Sequence, residues 1–262
     1  MRRSAGQVLD RVAGLLPPWL AEKVPRDHRE SDAAFHHRRR VVAATSLAGA
    51  GLLGASLSTK PDSGAFYGLT LGTAATWVVG GLASGPLHLG WMQRGNDLRR
   101  PVLTPVLLGV GMFGVFYGAA LVARRIPVLE RAIASVLQYA DEGSTRLVLV
   151  TTLANGAAEE VFFRGALFAA IGVKRPVVTS TGVYMLATVA TRNPALVLAS
   201  GVMGVVFGLQ RRSSGGIQAS TLTHLTWSSL MLRYLPPLFR RDGVSTKAVR
   251  AARSRSTSES ST

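Results

Sequence analysis

Six stretches of this chain hold no aspartate, glutamate, lysine or arginine: 41–59, 63–93, 101–123, 176–191, 193–210 and 213–232. Runs of that length constrain the fold more than any other feature. A helix needs about 20 predominantly apolar residues to cross the hydrocarbon core of a bilayer, within a range of about 17–25. Residues 101–123 meet this comfortably. The two runs flanking Arg192 only just do, as short or tilted spans or as a hairpin that dips partway. The charges are pushed to the ends. Arg38–Arg40, Arg99–Arg100, Arg124–Arg125, Lys174–Arg175 and Arg211–Arg212 all fall at segment boundaries, which explains how a chain with 47% hydrophobic residues carries a formal net charge of +16. Such clusters read as stop signals and contacts to anionic lipid head groups. Nucleic-acid binding would need a basic patch on a folded polar surface, and the pattern offers none. With no cysteine in the chain, disulfides and thiolate chemistry are excluded.

The expected architecture is an all-α polytopic bundle of about seven spans, six to eight at the limits. Residues 1–40 form a basic N-terminal arm, within which 7–20 has helical apolar spacing suited to the membrane surface. The arm is too polar to be the charged region of a cleaved signal peptide, so the first span is expected to act as the insertion signal. Residues 41–123 supply three spans, rich in the small residues that let membrane helices approach closely. Residues 124–238 supply an amphipathic helix (126–143) and about four more spans, near 147–171, 176–191, 194–210 and 215–235; 239–262 is a Ser- and Arg-rich tail expected to be disordered. The basic arm favours a cytoplasmic N-terminus. Seven crossings would then put the basic tail outside, so either one segment fails to cross or the rule is broken here.

The fourth span contains the sequence NGAAEEVFFRGALF, residues 155–168, with Glu159, Glu160 and Arg164 inside six residues. Each charge at a helix centre in a bilayer costs about 2.5–3.5 kcal/mol, so partners are required. On a helix, Glu160 and Arg164 stack four apart and can pair. Glu159 is then turned about 100° away, with Asn155 on its face and no counter-charge in its own helix. One glutamate reads as structural; the other is available as a general base. In a soluble protein the same turn would read as an exposed salt bridge, but apolar residues 147–153 and 165–171 flank it. The second polar group inside a span is His224, with Ser228 one turn on; facing Glu159, it could bind the same water or polarise a substrate carbonyl. A carrier would also bury carboxylates, yet no repeat-related second half is present.

EEVFFRG (159–165) resembles the Glu-Glu-x-x-x-Arg motif of the CAAX prenyl protease and bacteriocin-processing (CPBP) group of intramembrane proteases. GLQRRSSGGIQASTLTHLTWS (208–228) is similar to that group's last motif, a basic turn and Gly pair leading into a span with His-x-x-x-Asn/Asp. The resemblance covers about 100–235. It implies a helix bundle around a polar cavity within the membrane, and an endopeptidase acting on membrane-proximal peptides, CAAX processing included. Glu159 would activate the attacking water, His224 would support the water or the oxyanion, and Glu160 and Arg164 would hold the geometry. Two motifs depart from the pattern. In YMLAT (184–188), Tyr184 and Thr188 stand where Phe and His are usual, and Ser228 replaces Asn or Asp. A catalytic zinc takes three protein ligands; Glu159 and His224 with hydroxyl donors fall short of that, so the cofactor stays open between zinc and none. Beside a zinc held by Glu159 and His224, a glutamate-activated water without metal, with Thr188 bonding to it, and a catalytically inactive scaffold or immunity-type protein stay open. The expected partners are membrane lipids and a peptide or protein substrate, and the expected location is a bacterial plasma membrane, on the Ala-, Gly- and Arg-rich composition.

Overall fold

The computed structural model describes residues 31–94, 97–172 and 175–239. The surface helix expected at 7–20, His28 and the tail beyond residue 239 lie outside the described residues. Helix α1 (Asp32–Ser56) starts where the Ser31 hydroxyl accepts from the Ala34 amide, and α2 (Gly64–Ala83) starts the same way at Ser63 and Phe66. Serine at this position satisfies an amide that the first turn leaves unbonded. A short antiparallel hairpin follows, β1 (Met92–Arg94) with β2 (Asp97–Arg99), Met92 opposite Arg99. With three residues to a strand, the hairpin leaves the fold all-α, as the sequence predicts.

The chain continues through α3 (Leu103–Ala123), α4 (Pro127–Glu142) and α5 (Thr145–Glu159). Helix α5 runs on through a π-helical segment, Glu160–Leu167, into the single turn α6 (Phe168–Ile171), so 145–171 is one rod. Helices α7 (Pro176–Val189), α8 (Pro194–Ser214) and α9 (Gln218–Tyr234) complete the bundle. Proline opens α4, α7 and α8, at the position where its missing N–H costs no bond. Gly215, with φ 73°, closes α8 in the left-handed conformation that glycine adopts freely.

The principal helix pairs are α7 with α8, α1 with α2, α3 with α9, and α2 with α5. Small residues set the closest approach. A Cβ on Gly49 would overlap the ring of Trp77, and one on Gly80 would overlap Thr45, so α1 and α2 meet backbone to side chain. The main core surrounds the π-helical segment: Trp77 stacks on Phe162 with ring centroids 4.6 Å apart, and Phe163 lies 4.6 Å from Tyr184.

Polarity is distributed inside out. Leu47 is 79% exposed and Leu186 72%, whereas Glu160, Arg164, Thr73, Ser220 and Thr223 are buried. Helix α3 is the most apolar and has few buried residues. Such a surface would drive aggregation in water and suits lipid. Helices α2, α3 and α8 are long and apolar enough to cross a membrane by length and composition, and α7 is apolar but shorter. The other expected spans fall on α1, on the 145–171 rod and on α9, whose hydropathy is lowered by the basic start, the Glu-Glu-Arg cluster and the Gln, Ser and Thr residues, respectively. The molecule is an all-α membrane bundle, with the rod at its centre.

Candidate active site

The rod carries the acids into the interior. Glu160 has no exposed surface, Arg164 1% and His224 6%. Arg164 Nη1 lies 3.2 Å from Glu160 Oε1 as an ion pair, without the alignment of a hydrogen bond. The same oxygen meets Nδ1 of His224 at 3.1 Å, reaching across from α9. A buried pair of charges is retained only with good geometry and further partners. Aromatic rings supply part of that enclosure: the Arg164 guanidinium sits 4.6 Å from the Tyr184 ring and 4.9 Å from the Phe207 ring, and His224 stacks on Phe207 at 4.9 Å. Glu160 Oε2 meets no hydrogen-bond donor among the described residues.

The bond to Glu160 assigns the ring of His224 its tautomer. With the Nδ1 hydrogen directed at the carboxylate, the neutral imidazole carries its lone pair on Nε2. That atom faces α5 at Gly156, where a Cβ would stand 3.5 Å away, in ordinary contact. Gly156 lies three positions before Glu159, so Nε2 looks onto the turn that ends at the other acid.

Glu159 has a different environment. It is half-buried, and its Oε2 accepts a 2.6 Å hydrogen bond from the phenol of Tyr184 on α7. Sequence reasoning met Tyr184 only as a departure from the family pattern and gave it no place in the site. The signal for it was the phenol itself, the one polar side chain in the run 182–187, four positions before Thr188. The ring of His224 bonds directly to Glu160, and the network of Glu160, Arg164 and His224 stands beside Glu159.

Of the remaining candidates, Asn155 sits one turn before Glu159 but donates through Nδ2 to the Thr70 carbonyl of α2 at 3.2 Å; its Oδ1 is buried with no hydrogen-bond partner among the described residues. Thr188 is buried, and its hydroxyl donates to the Tyr184 carbonyl at 2.8 Å. Ser228 is buried one turn beyond His224. Two arginines read from sequence as lipid contacts turn inward. Arg211 donates from Nε to the Arg164 carbonyl at 2.7 Å, tying the end of α8 to the π-helical segment. Arg38, 1% exposed, donates to the Ser84 hydroxyl and the Pro86 carbonyl, each at 3.1 Å, and burial pushes its guanidinium below its ordinary value.

The donor set does not fit a tightly held zinc. Catalytic zinc takes three protein ligands, and among the described residues no three His, Asp, Glu or Cys side chains converge. Glu159 Oε2 is held by Tyr184, while Glu160 and His224 hold each other. What the arrangement offers is a carboxylate with one oxygen fixed, next to an imidazole whose outer nitrogen is directed toward the same turn.

Residues 142–230 match the family model described as type II CAAX prenyl endopeptidase Rce1-like. The matched segment runs from the last residue of α4 into α9 and includes Asn155, Glu159, Glu160, Arg164, Tyr184, Thr188, His224 and Ser228; α1, α2 and α3 lie outside it. No curated protein and no solved structure matches the chain.

Proposed function

We propose that the chain is an integral membrane endopeptidase in which Glu159 activates water against a peptide bond close to the bilayer. The observation that carries this reading is the division of labour between the two adjacent acids. Glu160 is fully buried and engaged by Arg164 and His224, whereas Glu159 is half-buried and, among the described residues, held through one oxygen by a neutral donor. In the proposed step, Glu159 takes a proton from water as the water oxygen bonds to the scissile carbonyl carbon, and the carbonyl electron pair moves onto its oxygen. Collapse of that intermediate breaks the C–N bond, and Glu159 returns the proton to the leaving amine. His224 orients the water through the Nε2 lone pair, which accepts from the water O–H that Glu159 does not take.

The family description of residues 142–230 supports a prenylated CAAX-type peptide as the substrate class. The Ala-, Gly- and Arg-rich composition supports a bacterial plasma membrane as the site of action. The test is cleavage of a quenched-fluorescent farnesylated peptide, ending in a Cys-aliphatic-aliphatic-X sequence, by the full chain in proteoliposomes. Wild-type protein is expected to cleave it and Glu159→Ala to abolish cleavage with the helical fold retained by circular dichroism. Cleavage unchanged by that substitution rejects the mechanism, and a wild-type protein that cleaves nothing favours the non-catalytic scaffold.

A further inference from the structure

We infer that Tyr184 is the positioning residue of Glu159, fixing which carboxylate oxygen meets water. The inference rests on the reading of Glu159 as the base. The bond is short, 2.6 Å, as expected when a hydroxyl donates to a charged acceptor. It also joins two separate elements, the last residue of α5 and the middle of α7.

The phenol is itself immobilised. Its ring packs against Phe163 at 4.6 Å, the Arg164 guanidinium lies 4.6 Å from its centroid, and the residue is buried. One turn on, Thr188 donates its hydroxyl to the Tyr184 carbonyl, so the backbone that carries the ring is bonded from the same helix. A group so fixed can hold a carboxylate in one orientation. With Oε2 taken by the phenol, Oε1 is left to receive the proton of the water. The arrangement also links the two acids: Arg164, which is paired with Glu160, is the cation over the ring that holds Glu159. A shift of the Glu160 network would therefore move the Tyr184 ring and, through it, the base.

Tyr184→Phe isolates the hydroxyl, because the ring and its contacts with Phe163 and Arg164 are kept. Two readouts are needed. The first is the infrared band of the Glu159 carboxyl group in the resting, reconstituted full chain, identified by its disappearance in Glu159→Gln. The second is kcat and KM on the farnesylated peptide. The expected result is a shifted Glu159 band, with kcat lowered about 10- to 100-fold, as for other groups that orient a reactive residue, and KM unchanged. A phenol serving only stability would lower the thermal midpoint and leave the band and the kcat per folded molecule alone, which would overturn the inference. An unshifted band in Tyr184→Phe overturns it while leaving the role of Glu159 intact. Wild-type cleavage by Glu159→Gln overturns the underlying reading and the positioning role with it, whatever the band shows.

Discussion

Glu160 is the residue on which the interior depends most. It brings a carboxylate with no exposed surface between an arginine and a histidine from different parts of the chain. Removing one partner of such a set leaves a buried charge uncompensated, which costs about 3–5 kcal/mol. Arg164→Leu is therefore expected to lower unfolding free energy by about that much in detergent denaturation, and a loss under about 1 kcal/mol, the scale of an exposed pair, would contradict the burial. The four-residue spacing of Glu160 and Arg164 made this pair readable from sequence, because both lie on one rod. The partners of the other two groups were not readable. His224 is 64 positions from Glu160 and Tyr184 is 25 from Glu159; such contacts arise from how helices pack, and a single sequence carries no record of that. Arg38 and Arg211 were misjudged for the same reason, since charge at a helix end looks alike whether it meets lipid or a buried carbonyl.

At the level of elements, helix positions were largely legible, because Ser31, Ser63 and Asn193 cap and Pro127, Pro176 and Pro194 open the helices where the apolar runs begin. The π-helical segment was not, for EVFFRGAL carries no proline or other local signal for a widened turn. Such turns occur mostly as insertions in α-helices and often at functional sites, and here the segment begins at Glu160. The glycines separate into two mechanical kinds. Gly49→Ala would drive a methyl into Trp77, which is fully buried and stacked on Phe162, so nothing nearby yields. Overpacking of that kind costs about 1–3 kcal/mol. Gly114, on α3, has open space where a Cβ would stand, with no neighbour within 4 Å, and Gly114→Ala is expected to be neutral or to stabilise by up to about 1 kcal/mol. Thermal unfolding of the two variants side by side checks the contrast; equal midpoints would mean that α1 and α2 are not packed as described.

For the whole molecule, the outward leucines and valines and the inward glutamates, arginines and histidine describe one design: a bundle solvated by lipid that keeps its polar chemistry inside. Charged groups in that setting are rare and mark function. Segment ends and the acidic cluster made this architecture visible from sequence, and the match over residues 142–230 coincides with the part of the chain that carries the cluster. The central claim is that a water molecule, activated by Glu159, is what attacks the peptide. Single-turnover cleavage in water enriched in heavy oxygen tests it most directly, with mass spectrometry of both the product and the Glu159-containing peptide of the enzyme. The expected result is label in the new product carboxylate and none in Glu159. Label in the Glu159 side chain would show that the glutamate attacked the substrate itself and formed a covalent intermediate, and the account of Glu159 as a base would fall.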